Sequence, residues 1–108
     1  YKAKVLFGTD MVASMESKKA QVTEFTLRTG WFSNVEILKQ ATSINAEVLK
    51  LSGPRNPYPG KLGVIEEGAY ADLLLINGNP LEDIAILTKP EENLALIMKD
   101  GVIFKNKL

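Results

Sequence analysis

Cysteine and histidine are both missing from the 108 residues. Without cysteine there are no disulfide staples and no thiolate metal sites, and the redox compartment is left open. Without histidine the commonest general base and the commonest metal ligand are gone, so any chemistry that needs imidazole must be supplied from elsewhere. Nor is charge of one sign in excess. Thirteen basic residues cancel thirteen acidic ones, and the longest basic block is Lys18-Lys19. A nucleic-acid or anionic-membrane binder would carry a basic footprint, so neither partner is expected. No apolar run has the length of a membrane span, no signal peptide is visible, and the P-loop and Gly-x-Gly-x-x-Gly patterns are absent, which sets nucleotide binders aside.

What is present is one domain's worth of chain, 45% hydrophobic, enough for a modest core. The chain begins at Tyr1 without an initiator methionine, and its first residues read as the middle of a strand. It is therefore expected to be a piece of a longer protein. The organising stretch is residues 60–77. Its continuous apolar run Leu73-Leu74-Leu75-Ile76, bounded by Asp72 and Asn77-Gly78, predicts a strand buried on both faces. Gly60, Gly63 and Gly68 punctuate the lead-in where positive φ is expected, and Glu66-Glu67-Gly68 reads as an exposed turn.

Lys4-Val5-Leu6-Phe7 reads as a short strand that stops at Gly8-Thr9-Asp10, which puts a carboxylate just past a strand's C-terminal end. In α/β architectures ligands are handled there, although an Asp after a strand also commonly caps or makes an Asx-turn. Met15, Val22, Phe25 and Thr29 recur at helical spacings, with Gly30 in the place of a C′ glycine. A second helix follows with Ser33 as N-cap, Glu36 completing a capping box and Phe32 stapling on Ile37. Ser33 is thus a cap and not a nucleophile, and no histidine or elbow motif activates Ser14, Ser17, Ser43 or Ser52. Thr42-Ser43-Ile44-Asn45 is expected to interrupt this helix and re-cap it. Residues 52–60, with three prolines and two glycines, predict a rigid loop without regular structure. In it Arg55 and Tyr58 tie two layers together or, as the alternative, contact a substrate. Residues 81–87 read as a short helix with Glu82 and Asp83 in its first turn, broken by Lys89-Pro90. Residues 93–99 and 102–105 then pair across Asp100-Gly101, the favoured dipeptide of a type I′ hairpin.

Taken together, Phe7-Gly8-Thr9-Asp10, Glu36 through Ala41-Thr42 and Asn45-Ala46, Gly63-Val64-Ile65-Glu66-Glu67-Gly68, Ala71-Asp72-Leu73-Leu74-Leu75, Asn79-Pro80-Leu81-Glu82-Asp83-Ile84 and Met98-Lys99-Asp100-Gly101 resemble the C-terminal part of the metal-dependent amidohydrolases. The branch is the one that looks like imidazolonepropionase and the Xaa-Pro dipeptidases. Each motif alone is weak, but their order and spacing over nearly the whole chain make a specific combination.

The resemblance implies an α/β fragment: the last strand and closing helices of a TIM-type barrel in residues 1–52, a proline-rich connector in 53–60, and the C-terminal half of a small β-sandwich in 61–108. It implies hydrolysis of a C–N bond in a small amide, dipeptide-like or cyclic substrate, by water activated on a divalent metal, typically zinc. Asp10 matches the family's aspartate beside that metal, which shuttles the proton from the water to the leaving nitrogen; Asp10 is accordingly both the catalytic and the metal-site candidate. Asp72 also matches a family position, but a strand-start location explains it structurally. Met11, Val12 and Ser14 either border the pocket or pack the following helix. The family's histidine ligands cannot be here, and a barrel of roughly 250 residues does not fit in the chain. The piece alone is therefore expected to be inert and to self-associate, the parent to be a cytoplasmic homo-oligomer. A non-catalytic module pairing through exposed strands is the competing reading.

Overall fold

The structure is a computed structural model that describes residues 3–10 and 14–108. The Ser14 hydroxyl accepts from the N–H of Ser17 at 3.0 Å and starts α1 (Met15–Ala20). A 3₁₀ turn, Gln21–Thr23, leads into α2 (Glu24–Leu27), and another, Arg28–Gly30, ends the run. Three threonines explain the tight winding. The hydroxyls of Thr23, Thr26 and Thr29 each donate to the carbonyl three residues back, at 2.7, 2.9 and 2.8 Å, drawing successive turns inward. The expected apolar stripe is shorter than its spacing implied. Met15 is 71% exposed and Thr29 is exposed, which leaves Val22 and Phe25 as the inward residues. Gly30 does not take positive φ; the run closes instead with the N–H groups of Trp31 and Phe32 on the Arg28 carbonyl.

The capping box is present. The Ser33 hydroxyl accepts from Glu36 N–H, and the Glu36 carboxylate accepts from Ser33 N–H at 2.9 Å. It opens α3 (Asn34–Lys39), whose Ile37 is fully buried, with Phe32 packed on the same cluster. The expected interruption at residues 42–45 does not occur. A wide π-turn, Gln40–Ile44, carries the chain directly into α4 (Asn45–Leu49), with no side chain capping the junction. Thr42 donates its hydroxyl to the Leu38 carbonyl at 2.7 Å, so its side chain supports the helix it was expected to break. Two short 3₁₀ pieces follow within Lys50–Arg55, separated by a kink at Gly53, whose φ of 55° and ψ of −124° are not helical.

In the second half, β1 (Leu73–Ile76), β2 (Leu94–Lys99) and β3 (Val102–Asn106) form a three-stranded antiparallel sheet in the order β1-β2-β3. The β2–β3 hairpin turns at Asp100 and Gly101 with φ of 50° and 76°, both positive as a type I′ turn requires. Gly63 and Gly68 take the expected positive φ. Gly60 does not, but a Cβ there would lie 2.8 Å from the Tyr70 ring. β1 is not buried on both faces: the successive residues Leu74 and Leu75, which point to opposite faces, remain 56% and 48% exposed. Between β1 and β2, Asp83 caps a 3₁₀ turn, Ile84–Thr88, by accepting from Ala85 N–H. That turn ends at Thr88, with Lys89 at φ −120° and ψ 66°, as Lys89-Pro90 implied, and Pro90 then begins α5 (Pro90–Asn93) at its first position, where a missing N–H costs nothing.

Residues 4–7 have no ladder partner among the described residues. Their expected strand therefore exists only as unpaired backbone: the three strands that are present pair with one another, and a barrel strand needs neighbours on both sides. The core joins the two halves. Ile37 packs with Ile84, Leu87 and Leu94, and Phe7, Phe25, Phe32 and Ile97 cover that cluster. Among the described residues no helix is long and apolar enough to cross a membrane.

Candidate active site

Asp10 ends the first described segment. Its side chain is exposed and its backbone stands at φ 50°, a left-handed conformation uncommon outside glycine but tolerated by Asp and Asn. Among the described residues no side chain pairs with it. Met11 and Val12, the expected borders of a pocket, lie outside the described residues, and Ser14 is the α1 cap.

Three residues before Asp10, Phe7 is held in two ways. Its backbone meets the side chain of Asn45, the first residue of α4: Phe7 N–H donates to Asn45 Oδ1 at 3.1 Å, and Asn45 Nδ2 donates to the Phe7 carbonyl at 2.9 Å. Its ring lies 4.6 Å from that of Phe25, tilted by 38°, and the Arg28 guanidinium sits 4.7 Å over it. Arg28 is itself fixed. Nε donates to Glu24 at 2.7 Å and Nη1 to Gln40 Oε1 at 2.8 Å, and Gln40 is the buried polar side chain of the interior. Phe25 of α2, Arg28 just after it and the segment that presents Asp10 thus meet at one aromatic ring, with the π-turn tied to them through Gln40.

The remaining singled-out residues take structural places. Asp72 accepts from the backbone N–H of Asp100 at 2.7 Å. Tyr58 packs edge-to-face on Tyr70, ring centroids 6.3 Å apart, with the Lys99 ammonium 5.5 Å over its face; it is a tie between connector and sheet. Arg55 is exposed. The sequence reading passed over Arg28 and Gln40 and met Asn45 only inside a motif. One signal was available: Gln40 follows Ile37 by three positions and so shares its inward face, and a buried amide needs a partner.

No three carboxylates, histidines or cysteines gather among the described residues. A single exposed aspartate offers one ligand, so the residues present do not by themselves make a metal site.

The chain matches the model of the amidohydrolase family over residues 2–104. Ochratoxinase from Aspergillus niger is 32% identical over 101 residues, a stretch covering 94% of this chain and 19% of that protein. Among solved structures, an amidohydrolase is 38% identical with a TM-score of 0.74 over 86% of this chain and 21% of its own. A prolidase complexed with N-methylphosphonate-L-proline is 34% identical with a TM-score of 0.70 over 84% of this chain and 21% of its own. The chain spans about a fifth of the length of these relatives. On the family match over nearly all of its residues, this chain belongs to the amidohydrolase family.

Proposed function

We propose that the chain supplies the proton-shuttling carboxylate, Asp10, of an enzyme that hydrolyses a C–N bond in a small amide, with Xaa-Pro dipeptides and N-acyl amino acids as the substrate class. The carrying observation is the similarity of nearly the whole chain to amide-cleaving relatives, a prolidase among them, together with an exposed carboxylate, without a side-chain partner among the described residues, at the end of an anchored segment. In this reading the chain is the last strand and closing helices of a barrel followed by part of a sandwich. The sheet's open residues, Leu74, Leu75, Ile103 and Phe104, are covered by further strands or by a second copy.

Asp10 accepts a proton from the attacking water as its oxygen bonds to the amide carbon. It returns that proton to the nitrogen as the C–N bond breaks, leaving a carboxylic acid and an amine. A divalent metal, zinc in the reading taken here, would make the water more acidic. Asp10 would offer it one carboxylate, and its histidine ligands would come from outside this sequence, which has no histidine and no cysteine.

The test is to express the chain with its adjoining coding sequence and assay Xaa-Pro dipeptides and N-acyl amino acids. Asp10→Asn should lower kcat by about 10²–10⁴-fold, the usual range for a general acid–base group. An unchanged kcat would overturn the role of Asp10. The 108 residues alone should be inert with added zinc, and hydrolysis by them would contradict the assignment of the metal-holding residues elsewhere.

A further inference from the structure

We infer that Asn45 is the positioning residue for Asp10, acting through the backbone of Phe7; this rests on the reading of Asp10 given above. A strand residue normally has its N–H and C=O satisfied by a neighbouring strand, and a buried backbone group left unpaired is costly. Residues 4–7 have no such neighbour among the described residues. At Phe7 the place of that neighbour is taken by one carboxamide, which accepts at 3.1 Å and donates at 2.9 Å.

A side-chain amide does both at once, with its donor and acceptor on separate atoms of one planar group. Aspartate keeps the acceptor and loses the donor, leucine has neither, and glutamine is a methylene too long for the same pose. The pair holds the two peptide groups that flank the Phe7 Cα, while Phe25 and Arg28 fix its ring. Asp10 is the third residue after this anchor, a span of at most about 10 Å of extended chain. A displacement at Phe7 is therefore delivered to the carboxylate with little slack to absorb it. Misplacing a reacting group by about 1 Å costs on the order of 100-fold in rate.

The experiment is a double-mutant cycle in the active protein expressed with its adjoining coding sequence, using Asn45→Ala, Asn45→Asp and Asp10→Asn. The expectation for Asn45→Ala is a fall in kcat of about 10–100-fold with KM little changed, and no further fall when it is added to Asp10→Asn. Asn45→Asp, nearly the same shape, should fall between wild type and Asn45→Ala, and it serves if the alanine variant does not fold. Hydrogen exchange at the Phe7 amide gives an independent reading: Asn45→Ala should speed it at least about tenfold, Asn45→Asp far less. Asp10→Asn inactive with Asn45→Ala at wild-type kcat would overturn the inference alone, as would equal losses from Asn45→Ala in both backgrounds. Asp10→Asn at wild-type kcat would overturn the reading of Asp10 and the inference with it.

Discussion

The carboxylate of Asp72 accepts the backbone N–H of Asp100 at 2.7 Å, and beside it Gly101 N–H donates to the Ala71 carbonyl at 3.1 Å. The residue that enters β1 thus clamps the tip of the β2–β3 hairpin, locking all three strands at one end. Asp72→Ala should cost about 1 kcal/mol, the net value of one such bond at an exposed site. Urea unfolding should register that loss, while kcat of the active protein should not move; a loss of kcat with unchanged stability would contradict the structural role.

Gly63 lies against the π-turn. A Cβ at this position would stand 2.6 Å from the carbonyl carbon and oxygen of Thr42, and the backbone is at φ 71°. Both the contact and the dihedral oppose a side chain. Gly63→Ala should therefore destabilise by about 2 kcal/mol or more. A melting temperature equal to wild type would show that Gly63 does not pack on residues 42–43 in solution.

Arg28 and Gln40 are coupled. Gln40 is 3% exposed and its Oε1 is held by Arg28, whose guanidinium also faces Glu24 and Phe7. Arg28→Lys cannot reproduce that fork and face together, and should cost about 1–3 kcal/mol by stranding a buried acceptor. Replacing both partners in Arg28→Met/Gln40→Leu should cost less than the sum of the single changes, because the Gln40 acceptor is then no longer stranded, while Glu24 loses its partner in either background. Additive losses by chemical denaturation would show that the two do not interact.

Lys4 pairs with Glu47, and the hydrogen bond and charge of the ammonium hold the Glu47 carboxyl below its ordinary range, with Lys50 adding to the effect. A carboxyl lowered on folding contributes stability that is fully present above its unfolded value near 4.5 and fades as the pH falls through the lower folded value. Both side chains are exposed, so added salt should weaken the effect. An NMR titration should find the Glu47 midpoint raised in Lys4→Ala; the same midpoint in both proteins would mean the pair does not form.

Local punctuation was the most legible part of the fold. The capping box of Ser33 and Glu36, the Asp100-Gly101 turn and the strand character of residues 73–76 follow from short-range chemistry, and the structure carries all three. What failed depended on neighbours. Burial of Leu74 and Leu75 and pairing of residues 4–7 both require strands beyond the three present, and no local pattern reports whether a neighbour exists. Thr42-Ser43-Ile44-Asn45 misled for a different reason. Each of these residues disfavours a helix interior on its own, yet Thr42 bonds back to Leu38, and Asn45 spends its amide on Phe7 instead of on its own backbone. At the candidate site, the position of Asp10 beyond an apolar segment could be read; its anchor, thirty-eight residues along the chain from Phe7, could not.

The π-turn at Gln40–Ile44 also changes how this helical run keeps count. An α-helix advances by about 100° per residue, so one surplus residue in a widened turn leaves everything after it rotated by that amount relative to everything before. Ile37 and Gln40 face the interior on one count, and Ala46 is buried and Asn45 reaches Phe7 on another. A relative with one residue fewer in this stretch could keep an unbroken helix and still lose the alignment of its two ends. In comparing sequences across the family, a single-residue gap between the equivalents of Gln40 and Asn45 therefore marks a chain that must hold its first segment by some other group.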